Sequence, residues 1–346
     1  MSFRIPLPFR RRTRPPFPSA ADLGYVELRG GGTRLQLIPA LGGKITELEL
    51  AGRQWLWTSD IMPWALPQPG STYQTTGDTG GYDECFPTLG HCRIPGWVKA
   101  YGGVELPGHG ELWCQEPKLE IETTTRGQCA VTTWAGRLLP YRLTRLARVT
   151  SDGTVEFEYH VANDGEERLP FIWSSQPMLP LTPGSELRLP EGSELRVSWA
   201  HRIQLGDHKS QHKWPYVRAA GKAYEFVHPY HVAKKYACKL FLDMPASQGR
   251  AVLREGDAEL EVTFDTGQVP QFGLWLNKEG WTPLKDEKPY LNMAFQPCMG
   301  APDTLSDALG DWKGAHWLEP GEVRSWVLRW RGRRVDSNGT TNVASG

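Results

Sequence analysis

The run from Val155 to Val161 alternates without a break. Val155, Phe157, Tyr159 and Val161 share one side, and Glu156, Glu158 and His160 share the other. A period of two fits a half-buried strand and no helix. Asn163, Asp164 and Gly165 follow, residues that tolerate the positive φ of a tight turn. The same signature recurs along the chain. Thr33 to Ile38 and Ile45 to Leu50 alternate around a Gly42-Gly43 turn, and Gln54 to Trp57 begins another strand after Gly52-Arg53. Arg250 to Leu253 and Leu260 to Phe264 read as a pair. After the Glu319-Pro320-Gly321 turn, Val323 to Arg331 sets Trp326, Leu328 and Trp330 against Val327, Arg329 and Arg331. Only Ala301 to Leu309 reads as a short helix, with Asp303 or Thr304 near its start. The 37 glycines and 28 prolines cut the rest into short pieces. Many short strands joined by turns predict an all-β fold, a large antiparallel β-sandwich.

At 346 residues the chain is long enough for two average domains, yet large sandwiches of this length form single units. No repeat or linker divides it. Residues 1–23 read as a basic, proline-rich arm, with Arg10, Arg11, Arg12 and Arg14 close together and no apolar run behind them to make a secretory signal. Residues 24–331 read as the folded domain, and the small polar residues of 332–346 as a disordered tail. Lys and Arg together number 39, as do Asp and Glu, so there is no global pull toward nucleic acid or an anionic membrane. No apolar stretch is long enough to span a bilayer. The six cysteines, Cys85, Cys92, Cys114, Cys129, Cys238 and Cys298, form no C-x-x-C pair, which argues against a zinc site and for reduced thiols in a cytoplasmic protein. The sequence fixes no oligomeric state.

The chemistry sits in a few places. Gly80 to Thr88 carries Asp83 and Glu84 in what reads as a glycine-bounded turn, where carboxylates either cap the turn or hold hydroxyls. His109 lies between glycines in the run Leu106 to Trp113, which also brings Glu111 and Trp113. The 15 tryptophans exceed ordinary usage. Most would fill a thick core, but flat apolar rings with a polar edge also stack on pyranose sugars. Trp64, Trp97 and Trp113 fall in loop-like sequence and are the sugar-stacking candidates. Ile61 to Thr79 lacks alternation, and a loop this long is expected to be functional or disordered. His208, His212 and His231 fall in an irregular stretch from His201 to Lys235 that is expected to cover a pocket. As a metal set the three are a weak candidate, because their spacing gives no strong geometry. Arg93, Lys99, Lys234, Lys235 and Lys239 are the cations that a phosphorylated ligand would require.

In their order along the chain these motifs resemble aldose 1-epimerase-related proteins of the galactose mutarotase superfamily. The resemblance rests on Gly81 to Thr88 followed by His109 to Trp113, on the early Gly42-Gly43-Lys44-Ile45 turn, and on Leu169 to Pro177. It continues through Lys239-Leu240-Phe241, Gly273-Leu274-Trp275 and Phe295 to Cys298 with the segment after it, and spans about Tyr25 to Trp330. It implies a galactose mutarotase-like supersandwich, a small-molecule sugar as partner, and no metal or organic cofactor. Enzymes of that family interconvert sugar anomers by opening the ring between C1 and O5. A glutamate takes the C1 hydroxyl proton, a histidine protonates O5, and a second histidine binds the substrate.

His109 matches the binding histidine. Gln176 stands where the acid histidine is expected, and Gln296 where the base glutamate is expected. An amide donates and accepts hydrogen bonds but exchanges no proton near neutral pH. His109, Gln176 and Gln296 are thus the candidate catalytic positions, with Asp83, Glu84, Glu111, Trp113 and Lys239 as candidate sugar contacts. Three readings remain open. The protein is an epimerase with relocated acid–base groups (His109 with Asp83, Glu84 or Glu111), a carbohydrate-binding or sensing protein, or an enzyme for a different reaction on a sugar-like molecule.

Overall fold

A computed structural model describes residues 18–72, 76–246, 249–284 and 288–335. Two large antiparallel sheets dominate it, of 13 and eight strands among the described residues. The alternating segments become strands. Val155–Asn163 lies in the middle of the smaller sheet, between Tyr141–Val149 and Val323–Arg334. Thr33–Ile38 pairs with Lys44–Leu50 in the larger one. Arg250–Glu255 pairs with Ala258–Phe264, as their patterning predicts.

The inner faces meet in an aromatic core. Trp134, Trp173, Trp326, Trp330, Tyr82, Tyr159 and Phe157 are almost fully buried. Tyr159 stacks on Trp326 with ring centroids 5.2 Å apart, and Trp173 meets Trp326 edge-on at 4.8 Å. Each such ring removes a large apolar area from water, at about 25 cal/mol per Å². All six cysteines are buried and unbridged.

Three expectations change. The final strand runs to Arg334, with Gly332 opposite Leu260 and Arg334 opposite Ala258, so the ordered chain passes the expected boundary at Arg331. The His201 to Lys235 stretch is more regular than its sequence suggests. Gln211–Lys213, Tyr216–Ala219 and Lys222–Glu225 extend the larger sheet at its edge. They are only three or four residues long, too short for alternation to show, and Val217 is the one of their side chains that is fully buried. The strand expected at Gln54 to Trp57 shrinks to Arg53–Gln54. The short helix is Leu305–Leu309, with Thr304 at its N-cap accepting from the Asp307 amide. The basic arm before residue 18 and the tail after 335 lie outside the described residues.

Candidate functional site

The outer face of the larger sheet holds a cleft of about 310 Å³. Strand register assembles it. Gln176 on Trp173–Pro180 pairs with Asp83 on Tyr82–Cys85. Gln296 on Leu291–Met299 pairs with Gly273, and Lys239 on Tyr236–Asp243 lies between Trp199 and Trp275. Because side chains alternate along a strand, residues at matching registers share one face. Positions scattered over more than a hundred residues therefore meet.

Three of the sequence candidates, His109, Gln176 and Lys239, line the cleft. Gln296 is fully buried just behind them. The Lys239 ammonium donates to Gln296 Oε1, and Gln296 Nε2 donates to Gln176 Oε1. Gln176 Nε2 in turn lies 3.6 Å from the Met178 sulfur. The chain of donors fixes both amide orientations. Lys239 also meets Asp303 at 3.2 Å. Gly273 leaves room for this arrangement: a Cβ there would stand 3.2 Å from Gln296 Oε1 and 3.3 Å from Lys239 Nζ.

Asp83 is buried beside this row and ion-paired with Lys44, which also donates to the Gly80 carbonyl at 2.8 Å. His109 adopts a left-handed φ of 64° in the loop that Gly110 closes against the Phe86 backbone. A Cβ on Gly110 would lie 2.0 Å from the Phe86 carbonyl oxygen, so only glycine fits. Desolvation, with Lys44 and Lys239 nearby, lowers the His109 pKa to about 3, so the imidazole is neutral at physiological pH.

Other candidates lie elsewhere. Glu84, next to Asp83, points into the core between the sheets, where it takes Arg145 at 3.2 Å, Tyr159 at 2.9 Å and the Trp173 indole at 3.1 Å. Burial pushes its carboxyl up to about 7, with Arg145 and the hydrogen bonds pulling the other way. Glu111 accepts from the backbone amides of Arg137 and Leu138 and from Tyr141, which makes it a loop anchor. Trp113 is buried, bonded to the Gly110 carbonyl at 3.0 Å, and backs the His109 ring. None of these three lines the cleft.

The aromatic wall consists of Trp199, Trp275 and Trp281. Trp199 stacks on Trp275 at 5.8 Å, and Trp281 meets both edge-on. Trp275 had a signal in the Gly273-Leu274-Trp275 motif; Trp199 and Trp281 had none. Trp64 does not line the cleft, and Trp97 is 62% exposed on a surface loop. From the irregular segment at 61–79, Asp78 reaches the site, together with Asp303 from the segment before the short helix.

The three histidines proposed as a possible metal set are spoken for separately. His208 binds the Ser198 carbonyl and the Trp312 indole, His212 the Ser210 hydroxyl, and His231 the Pro183 carbonyl. Among the described residues no group of three or more His, Cys, Asp or Glu is placed to hold a metal ion. No helix among them is long and apolar enough to cross a membrane. Of the other cations, Arg93 pairs with Glu105 and Lys235 with Glu279, while Lys99 and Lys234 are exposed away from the cleft.

No family model and no curated protein matches the sequence significantly. Solved structures do match. A galactose mutarotase-like protein from Clostridium acetobutylicum is similar at a TM-score of 0.63 and 10% identity, over 91% of this chain and 96% of that one. A putative aldose 1-epimerase from Escherichia coli K12 is similar at 0.59 and 16%, over 90% and 99%. A galactose mutarotase-like protein from Lactobacillus casei is similar at 0.57 and 15%, over 89% and 100%. The chain has the galactose mutarotase-like fold.

Proposed function

We propose that the cleft binds a sugar, and that the protein is an aldose 1-epimerase-like carbohydrate-binding protein rather than an efficient mutarotase. The observation that carries this reading is the amide relay Lys239–Gln296–Gln176. At the two positions where ring opening needs a base and an acid, the site has hydrogen-bonding groups that hold a polyol without moving protons. The tryptophan wall supplies the stacking surface, and neutral His109 with Asp78 and Asp303 supplies polar contacts at its rim.

A second reading is supported by His109 and Asp303 lining the same cleft. In that reading Asp303 takes the C1 hydroxyl proton and returns it to O5, while neutral His109 holds the sugar in position by hydrogen bonds. Glu84 and Glu111, committed to the core and to a loop, drop out of it.

Calorimetry of the purified chain with glucose and galactose, run beside polarimetry of the freshly dissolved sugars, separates the two. Binding without faster mutarotation is expected. Fast mutarotation lost in His109→Ala, with binding retained, would establish the second reading instead. Absence of binding by any sugar would reject both.

A further inference from the structure

The cleft does not end at its tryptophan wall. Gly90, Trp199 and Asp303 border it on one side and border a second, more open cleft of about 710 Å³ on the other. Trp199 packs between His201 and Trp275, so its ring is held upright as a partition between the two. Asp303, tied to Lys239 at 3.2 Å, stands on the same divide.

The lining of the second cleft defines what suits it. His91, His208, Ser198, Thr304 and Asp307 face it together with Asp303. The hydroxyls of Thr304 and Ser198 and the His91 imidazole both donate to and accept from sugar hydroxyls, while the two carboxylates accept from them. Among the described residues no lysine or arginine lines it. Asp303 is already neutralised by Lys239 from the first cleft, and Asp307 has no lysine or arginine beside it in the second, so this lining offers a phosphate or sulfate no free cation and suits an uncharged polyol.

We propose that the second cleft is a subsite for a second, neutral sugar unit, so that the ligand is an unphosphorylated di- or oligosaccharide. One unit sits against Trp199, Trp275 and Trp281, and the next passes the Trp199–Asp303 divide. The inference rests on the sugar-binding reading above and names its ligand class. It also accounts for the cations: Lys239, the one phosphosugar candidate that lines the first cleft, is already committed to Asp303 and Gln296, and Arg93 and Lys235 line neither cleft.

Isothermal titration calorimetry of the full chain tests it, using glucose, galactose, maltose, cellobiose, lactose and glucose 6-phosphate. At least one disaccharide should bind about 10-fold tighter than its component monosaccharides, a gain of about 1.4 kcal/mol. Glucose 6-phosphate should bind no tighter than glucose. Asp307 is an exposed side chain that accepts from the Thr304 hydroxyl, and Asp307→Trp fills the second cleft while keeping the backbone amide that Thr304 caps. The disaccharide-to-monosaccharide affinity ratio should then fall toward one. If Asp307→Trp fails to fold, His91→Ala, at another exposed lining position, should lower the same ratio. Monosaccharide binding with no disaccharide gain, or a ratio unmoved by either variant, overturns the inference and leaves the sugar reading standing. Tighter binding of glucose 6-phosphate than of any neutral sugar also overturns it. Failure of every sugar to bind overturns both.

Discussion

Asp83 and Glu84 are neighbours in the chain and face opposite sides of one sheet. Asp83 is ion-paired with Lys44 beside the cleft, and Glu84 is ion-paired with Arg145 between the sheets. Arg145 also donates to the Gly43 carbonyl at 2.7 Å, and Gly43 immediately precedes Lys44. One buried guanidinium therefore braces both backbone segments whose side chains meet outside the core. A single pair of adjacent residues links the packing of the sandwich to the shape of its site.

That relationship sets the first prediction. Glu84→Ala leaves Arg145 fully buried without its carboxylate, and breaking a buried pair in this way costs about 3–5 kcal/mol. Glu84→Gln keeps one acceptor oxygen for Tyr159 and Arg145 but turns an amide donor toward the Trp173 indole and removes the countercharge, so it should cost less than Glu84→Ala yet still about 1–3 kcal/mol. Urea denaturation midpoints of the wild type and both variants check the order. A Glu84→Ala protein as stable as the wild type would show that the pair does not brace the sheet.

A second prediction concerns acid. His316 packs near Phe171, and desolvation with Arg324 at 3.4 Å lowers its pKa to about 4. The unfolded chain binds a proton near pH 6.5 while the folded chain resists it. A depressed folded pKa means that the stability is fully present above pH 6.5 and is lost as pH falls toward 4. His109, lowered to about 3, acts in the same direction. Between pH 6.5 and 5 the fold should lose roughly 1–2 kcal/mol through His316. His316→Asn should flatten that slope in chemical denaturation curves taken across the range. An unchanged slope would mean that His316 already takes up its proton in the folded state.

The third prediction concerns the wall. Trp275→Ala removes the central ring of the Trp199–Trp275–Trp281 cluster. Sugar affinity should fall about 10-fold, in line with an aromatic contact of roughly 0.5–1.5 kcal/mol. Trp97→Ala, at an exposed loop position, should change nothing. Calorimetric titration with whichever sugar binds reads both.

The sandwich was legible because its strands keep a strict period of two, but the buried charge was not read, although the pattern carries it. In Tyr141–Val149 the inward residues are Tyr141, Leu143, Arg145, Ala147 and Val149, and an arginine at an inward position demands a partner. The division of Asp83 from Glu84 was hidden only by reading Tyr82–Cys85 as a turn; as a strand, it puts them on opposite faces at once. The tryptophan wall was not legible. Trp199 and Trp275 become neighbours through Lys239, by the registry of three strands spread from 194 to 278. No local pattern encodes such long-range pairing, which separates Trp199 from the core tryptophans only once the sheet is assembled.

The last prediction restores the missing chemistry. Gln176 opens onto the cleft and Gln296 lies behind it, the two joined by a direct amide hydrogen bond. Gln296→Glu replaces the amide by a carboxylate of nearly the same volume beside Lys239, which already donates to that position. The ammonium holds the new carboxylate ionised, as a base must be before it takes a proton. Gln176→His puts a group that titrates near neutral pH at the cleft surface. Either change alone supplies half of a proton-transfer pair, and acid and base work as a unit. The single variants should therefore mutarotate glucose or galactose no faster than the wild type, within about threefold. The double variant should gain about 10²-fold or more, the lower end of what one positioned acid or base contributes. Polarimetry of freshly dissolved sugar measures the rates, and calorimetry shows whether each variant still binds. A double variant that binds sugar as the wild type does, yet turns it over no faster, would show that the cleft does not present C1 and O5 to positions 176 and 296.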